Sequence, residues 1–106
     1  MTESSGPIGP HDKQMYAQEY KQGADLFQKA LEQYGKSESL FQKAEFKHVM
    51  DRAMQVLNDS AHGLMKQELE KQNQKISKDY ENFQKNPDQN AINQLKDDLD
   101  QAKKSV

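Results

Sequence analysis

Residues 76–99 read Ile76-Ser-Lys-Asp-Tyr80-Glu-Asn-Phe83-Gln-Lys-Asn86-Pro87-Asp88-Gln-Asn-Ala-Ile92-Asn-Gln-Leu95-Lys-Asp-Asp-Leu99 and contain the clearest structural signal in the chain. The Asn86-Pro87-Asp88 triplet is typical of a helix start, with a cap, a proline at the first helical position and an acid in the first turn. Apolar residues recur at three- and four-residue spacing on both sides of it, which indicates two amphipathic helices. Their numbers total 175 in the pairs Phe83 with Ile92, Tyr80 with Leu95, Ile76 with Leu99, and Leu69 with Val106. A constant total is what antiparallel pairing requires, so the sequence predicts an αα-hairpin here.

A second helical hairpin is predicted nearer the N-terminus. The residues Tyr16, Tyr20, Ala24, Phe27, Ala30, Leu31 and Tyr34 fall within a sector of about 120° on a helical wheel, which predicts a helix over residues 11–34. Gly35 fits a left-handed residue after that helix, and either Ser37 or Ser39 can cap the next one, Ser39 having the capping-box spacing to Gln42. The residue numbers of facing pairs across this turn total 73 to 75, from Tyr34 with Leu40 to Tyr16 with Leu57.

The middle of the chain carries two apolar stripes that point in different directions. The first stripe comprises Phe46, Met50, Ala53, Met54, Leu57, Ala61, Leu64 and Met65, and the second comprises Leu69, Gln72, Ile76, Tyr80 and Phe83. On the same helical wheel the second stripe is rotated by about 80° from the first. A heptad repeat would drift by only about 20° per seven residues, and in the opposite direction. We therefore expect either a break near 58–63 or one long helix over 37–85 that faces two sets of neighbours. The methionines of the first stripe are interpreted as core.

The predicted fold is all-α, with antiparallel helical hairpins of three to four helices in a bundle or coiled-coil-like arrangement. Residues 11–106 are expected to form one helical domain, preceded by a disordered leader over residues 1–10 in which glycine and proline alternate with few apolar residues. The leader has no basic and apolar signal pattern, which favours a cytoplasmic protein. No run approaches the roughly 18 apolar residues of a membrane span, so membrane insertion is not expected.

The composition gives little support for catalysis or nucleic-acid binding. The 106 residues include 15 basic and 17 acidic side chains and no cysteine, so a basic footprint for nucleic acid and any thiol chemistry are both absent from the sequence. His48 and His62 would lie about 21 Å apart along one helix, and neither they nor His11 show metal-ligand spacing. The carboxylates at 68, 70, 97, 98 and 100 are expected on polar, hydrated faces. We therefore expect no enzyme activity, no metal and no cofactor.

Three apolar residues fall outside the predicted hairpin faces. Leu26 lies on the flank of the first helix, and Val49 and Val56 lie seven residues apart at about 100° from the middle of their stripe. Two valines one heptad apart form the smallest unit of a second contact face. The sequence therefore predicts a protein interface at Leu26, Val49 and Val56.

The stretch Asn82-Phe-Gln-Lys-Asn-Pro-Asp-Gln-Asn-Ala-Ile-Asn-Gln-Leu95 resembles the turn between the two helices of type III secretion needle subunits. The small size and the Gly/Pro-containing leader are also similar to needle subunits and their helical co-chaperones. The resemblance implies an assembly subunit or a small chaperone. The chain departs from that family at its end, because needle subunits finish with a longer and more apolar helix.

Only 18 residues are Leu, Ile, Val or Phe, and so thin a core suggests that contact with a partner or another copy adds stability. We therefore expect a non-enzymatic helical protein–protein interaction module, a small chaperone or adaptor. The alternative is a self-assembling structural subunit and hence a homo-oligomer, of the kind that builds a bacterial secretion apparatus. The partner is another protein or the chain itself.

Overall fold

A computed structural model describes residues 10–106 as four α-helices joined by short loops. The helices are α1 (Pro10–Lys36), α2 (Leu40–Leu64), α3 (Gln67–Lys85) and α4 (Gln89–Lys104). The all-α prediction is confirmed. Of the expected leader, residues 1–9 lie outside the described part of the chain, and Pro10 already begins α1.

The helices form an elongated up-and-down bundle with extents of 50 × 27 × 18 Å. Each helix packs on the next one in the chain, and α4 returns to pack on α1. The contact between α1 and α2 is the most extensive, whereas α2 and α3 touch the least. Short loops force consecutive helices to run antiparallel, which explains this arrangement.

Side-chain caps start both α2 and α4. The Ser39 hydroxyl accepts a bond from the Gln42 backbone N–H at 3.4 Å, as expected from the sequence. The Asp88 carboxylate accepts one from the Ala91 backbone N–H at 2.8 Å. The cap of α4 is therefore Asp88 and not Asn86, because a carboxylate satisfies a free N–H of the first turn and also favours the positive end of the helix dipole.

The long middle segment is interrupted, but later than the sequence suggested. Gly63 lies inside α2, and the helix ends at Met65, which takes the left-handed conformation with φ 57°. Glycine is needed at position 63 for a different reason, since a Cβ there would come within 2.6 Å of the Tyr16 ring of α1. Met65 is 81% exposed, so its assignment to the core was wrong.

The core follows the predicted stripes, except that one residue of the second stripe is replaced at the buried position by its neighbour. It contains residues from all four helices, the largest fully buried ones being Tyr20, Phe27, Leu31, Met50, Leu57, Leu69, Ile76, Phe83, Leu95 and Leu99. Gln72 is only half-buried, and Asn73 takes the inward position instead. The resulting four- and three-residue spacing from Leu69 through Asn73 to Ile76 continues smoothly to Phe83, as a helix packed along its whole length requires. The predicted α3–α4 hairpin is confirmed.

The α1–α2 hairpin is also present, but its register differs from the predicted one. Tyr16 was paired with Leu57, whereas the structure places it against Gly63, more than a turn further along α2. Leu40 was paired with Tyr34 but is 84% exposed. The reason is local, because α1 continues through Gly35 to Lys36 and Gly35 does not end the helix. The turn between α1 and α2 therefore lies further along the chain than the periodicity implied.

Candidate functional site

The buried titratable groups are held by partners inside the bundle. Burial raises the pKa of Tyr20 well above its usual value, and the Tyr20 hydroxyl donates to Asn73 Oδ1 at 2.6 Å. Burial, followed by a 2.5 Å hydrogen bond to Asp51 Oδ1, raises the pKa of Tyr80 in the same direction. Both phenols therefore stay neutral and donate hydrogen bonds inside the bundle.

The burial of Asp98 was not predicted from the sequence. We expected a hydrated carboxylate, but the structure buries Asp98 completely between α4 and α3. Its Oδ1 accepts a bond from Gln94 Nε2 at 3.2 Å and lies 3.5 Å from Lys75 Nζ. On the helical wheel Asp98 lies about 40° from the buried Ala102, at the edge of the apolar stripe, so it faces the neighbouring helix; the charge pattern alone does not show this.

A polar seam joins α1 to α4 at the edge of the bundle. Gln28 donates through Nε2 to the Lys96 carbonyl and to Asp100 Oδ1, and its Oε1 accepts from Lys103 Nζ at 2.9 Å. Lys103 also donates to Asp25 at 2.8 Å, and this bond raises the pKa of the ammonium group. These contacts fix the orientation of α4 on α1 through hydrogen bonds between side chains of both helices.

The histidines do not form a metal site in the described part of the chain. His48 and His62 are both exposed, and His62 Nδ1 lies 3.9 Å from Glu70 Oε1. No cluster of three or more histidine and acidic side chains with metal-binding geometry occurs among the described residues. The His11 side chain lies outside them.

Two of the three most exposed large apolar side chains within residues 13–106 lie at the start of α2. Leu40 is 84% exposed and Phe41 is 73% exposed. At 100° per residue, Ala44 and His48 share their side of the helix, and Ala44 is also exposed. We call these four residues the α2 outer face. It lies opposite the buried stripe that contains Met50 and therefore has no partner within the bundle.

Side-chain contacts hold the backbone of the first turn, which carries the α2 outer face. Ser39 caps the helix immediately before Leu40, and the Ser37 hydroxyl donates to Gln42 Oε1 at 2.8 Å. Lys43 reaches back over the Tyr34 ring, 5.3 Å from its centroid, as a cation–π contact. The exposed pair is thus presented on a fixed first turn rather than on a loose loop.

The same pentapeptide occurs twice in the chain with opposite outcomes. Leu-Phe-Gln-Lys-Ala spans residues 26–30 and again 40–44. In α1 the phenylalanine, Phe27, is fully buried and stacks edge-on against Tyr80 with ring centroids 5.2 Å apart. In α2 the equivalent Phe41 is exposed. Identical local sequence therefore does not determine burial; the register of α2 against its neighbours does.

The three predicted interface residues differ in their exposure. Leu26 is 45% exposed on α1. Val56 is half-buried, and a Cβ on Gly23 of α1 would lie 2.9 Å from its Cγ1. Val49 is half-buried against the core. Only Leu26 is well exposed, and the two valines contribute to packing within the chain.

The exposure of Phe41 was not predicted, although the sequence contains a signal for it. Phe41 falls outside the stripe of Phe46 and Met50 on the helical wheel, and it follows directly on the Ser39 cap. An apolar residue in a capped first turn, on the side away from the stripe, has no partner within its own helix.

A smaller apolar surface lies at the other end of the bundle. Met15 of α1 is half exposed, and Met65 projects from the loop after α2. Together with Tyr16, Met65 lines a shallow groove whose other walls are polar. The two apolar surfaces are separated by the length of the rod, because α1 begins where α2 ends.

Comparison with known proteins adds no relative. No protein-family model matches the chain, and neither the curated proteins nor the solved structures searched yielded a match. The similarity of residues 82–95 to needle subunits therefore stays a prediction. None of the four helices between Pro10 and Lys104 has the length and apolar character needed to cross a membrane.

Proposed function

We propose that this chain is a non-enzymatic helical interaction module, a small chaperone or adaptor, and that it binds an amphipathic helix of a partner protein on the α2 outer face. The observation that supports this is the exposure of Leu40 and Phe41 on a capped, fixed helical turn. Ala44 lies four residues after Leu40 and three after Phe41, which is the spacing of the anchors used when one helix docks on another.

The size of the surface favours a helix as the partner. Two side chains of this size expose apolar area on the order of 300 Å², within the range of functional patches on monomers. A stable protein–protein interface buries about 800 Å² on each side. The α2 outer face thus suits one face of a short helix, bound weakly and reversibly, better than a broad and permanent interface.

The test uses photo-crosslinking followed by a direct affinity measurement. A benzophenone amino acid in place of Phe41 is expected to crosslink to a discrete partner in the native host, whereas one in place of Met65 at the opposite end is not. The purified partner segment should be helical, and Leu40→Ser/Phe41→Ser should weaken its binding at least tenfold by calorimetry. Equal binding by this variant and by the Met65→Ser control would refute the proposal.

The second candidate function is a self-assembling structural subunit. The observation that favours it is the pair of apolar surfaces at opposite ends of a rod 50 Å long, which would allow copies to contact head to tail. Light scattering on a size-exclusion column over a hundredfold concentration range separates the two functions. A constant mass near 12.2 kDa supports the adaptor, whereas a mass that grows with concentration supports self-assembly.

A further inference from the structure

Two carboxyl groups meet at the contact between α3 and α4. Asp98 of α4 is fully buried, and the carboxyl group of Asp79 of α3 is close enough to raise its pKa. The Oδ2 atoms of both residues are buried and have no donor among the described side chains. Two ionised carboxylates have only acceptors to offer each other, so this contact is attractive only when one of them carries a proton.

The charges around the pair are consistent with one bound proton. Lys75 of α3 places its ammonium group 3.5 Å from Asp98 Oδ1, and Gln94 of α4 donates to the same oxygen. From α1, the other helix packed on α4, the acidic groups Asp25 and Glu32 pair with lysines of α4 away from this point. With one proton, the two carboxyl groups carry a single negative charge that Lys75 balances.

We propose that Asp79 and Asp98 share one proton across the α3–α4 contact, and that loss of this proton weakens the contact, so that the bundle senses pH. After the proton is lost, two negative charges face one ammonium group while the Asp98 side chain is fully enclosed, and its burial makes the repulsion costly.

The direction of the pH dependence follows from the folded state. Burial, then the hydrogen bond and charge of Asp79, raise the pKa of Asp98 to about 6 from its ordinary value of 3.8. A group with a raised pKa in the folded state binds its proton more tightly there than in the unfolded chain. Its contribution to stability is therefore complete below pH 4 and is lost as the pH rises through 6.

The experiment compares urea unfolding at pH 4.5 and pH 7.5 for the wild-type chain, Asp98→Asn and the exposed control Asp97→Asn. For these pKa values the unfolding constant of the wild type should rise by about 25-fold more than that of Asp98→Asn over this interval. The asparagine amide can donate to Asp79 and so mimics the protonated state at every pH. Asp97→Asn should keep the wild-type dependence.

A carboxyl-carbon NMR titration gives an independent measurement on the folded wild-type protein. Asp98 should titrate well above 4, and Asp79→Asn should lower its midpoint by removing the opposing carboxylate. An Asp98 midpoint near 4, or equal pH dependence in the wild type and both asparagine variants, would overturn the proposal. Should Asp98→Asn fail to fold, the titration and Asp79→Asn still decide the question.

Discussion

Replacing Tyr20 with phenylalanine tests how the bundle holds its buried polar groups. The Tyr20 hydroxyl donates to Asn73 Oδ1 at 2.6 Å, and Asn73 Nδ2 donates to the Leu57 carbonyl at 2.9 Å. These two bonds connect α1, α2 and α3 through one fully enclosed amide. Tyr20→Phe keeps the buried ring and removes only the donor.

The expected loss of stability follows from what the substitution leaves behind. A hydrogen bond contributes about 0.5–1.5 kcal/mol net, and an acceptor left buried without a partner costs about 1–3 kcal/mol. Asn73 is only 3% exposed, so water cannot readily replace the hydroxyl. We therefore expect Tyr20→Phe to lower the free energy of unfolding by about 2 kcal/mol and Tm by about 8 °C.

Urea and thermal unfolding followed by circular dichroism measure this loss. Tyr34→Phe, a half-buried tyrosine in the same helix, serves as the matched control and should cost less than about 0.5 kcal/mol. In the double variant Tyr20→Phe/Asn73→Leu no polar group is stranded, so its loss should be at least about 1 kcal/mol smaller than the sum of the two single losses. Additive losses, or a Tyr20→Phe variant as stable as the control, would refute the reasoning.

Substitutions at three further positions are predicted to change Tm in defined directions. Gly63→Ala should destabilise the protein by about 1–3 kcal/mol, because its methyl group would come within 2.6 Å of the Tyr16 ring; an unchanged Tm would show that the ring moves freely. Met65→Gly should stabilise it by about 0.5 kcal/mol, since glycine adopts the positive φ without strain and the exposed methionine contributes little packing; a lower Tm would contradict this. Asp88→Ala should cost about 1 kcal/mol through the lost cap on the Ala91 N–H, and Asp88→Asn should restore most of it.

The helices and the α3–α4 hairpin are predictable because their signals are local. Apolar spacing along Ile92, Leu95 and Leu99 shows which side of a helix is buried, and the constant total across the Pro87 turn shows which residues face each other. Both rest on the fixed geometry of the α-helix, which does not depend on the rest of the molecule.

The boundary between α2 and α3 was harder to predict from the sequence. Glycine is the usual signal for the end of a helix, and Gly63 closes the stretch 58–63 where a break was one of the two predictions. It is instead a contact point for Tyr16, while Met65 accepts the left-handed conformation. A glycine that ends a helix and one that admits a neighbouring ring look the same in a single sequence.

The amino-acid sequence by itself determined the helical class, the number of hairpins and most of the core, since these depend on periodicity within each segment. Only the tertiary structure decided that Asp98 is buried against Asp79, that Asn73 joins three helices, and that Phe41 is exposed while Phe27 in the same pentapeptide is enclosed. Each of these depends on the register and rotation of one helix against another. A shift of one turn between neighbouring helices leaves every local pattern unchanged, yet it changes which polar groups meet and which apolar side chains remain exposed.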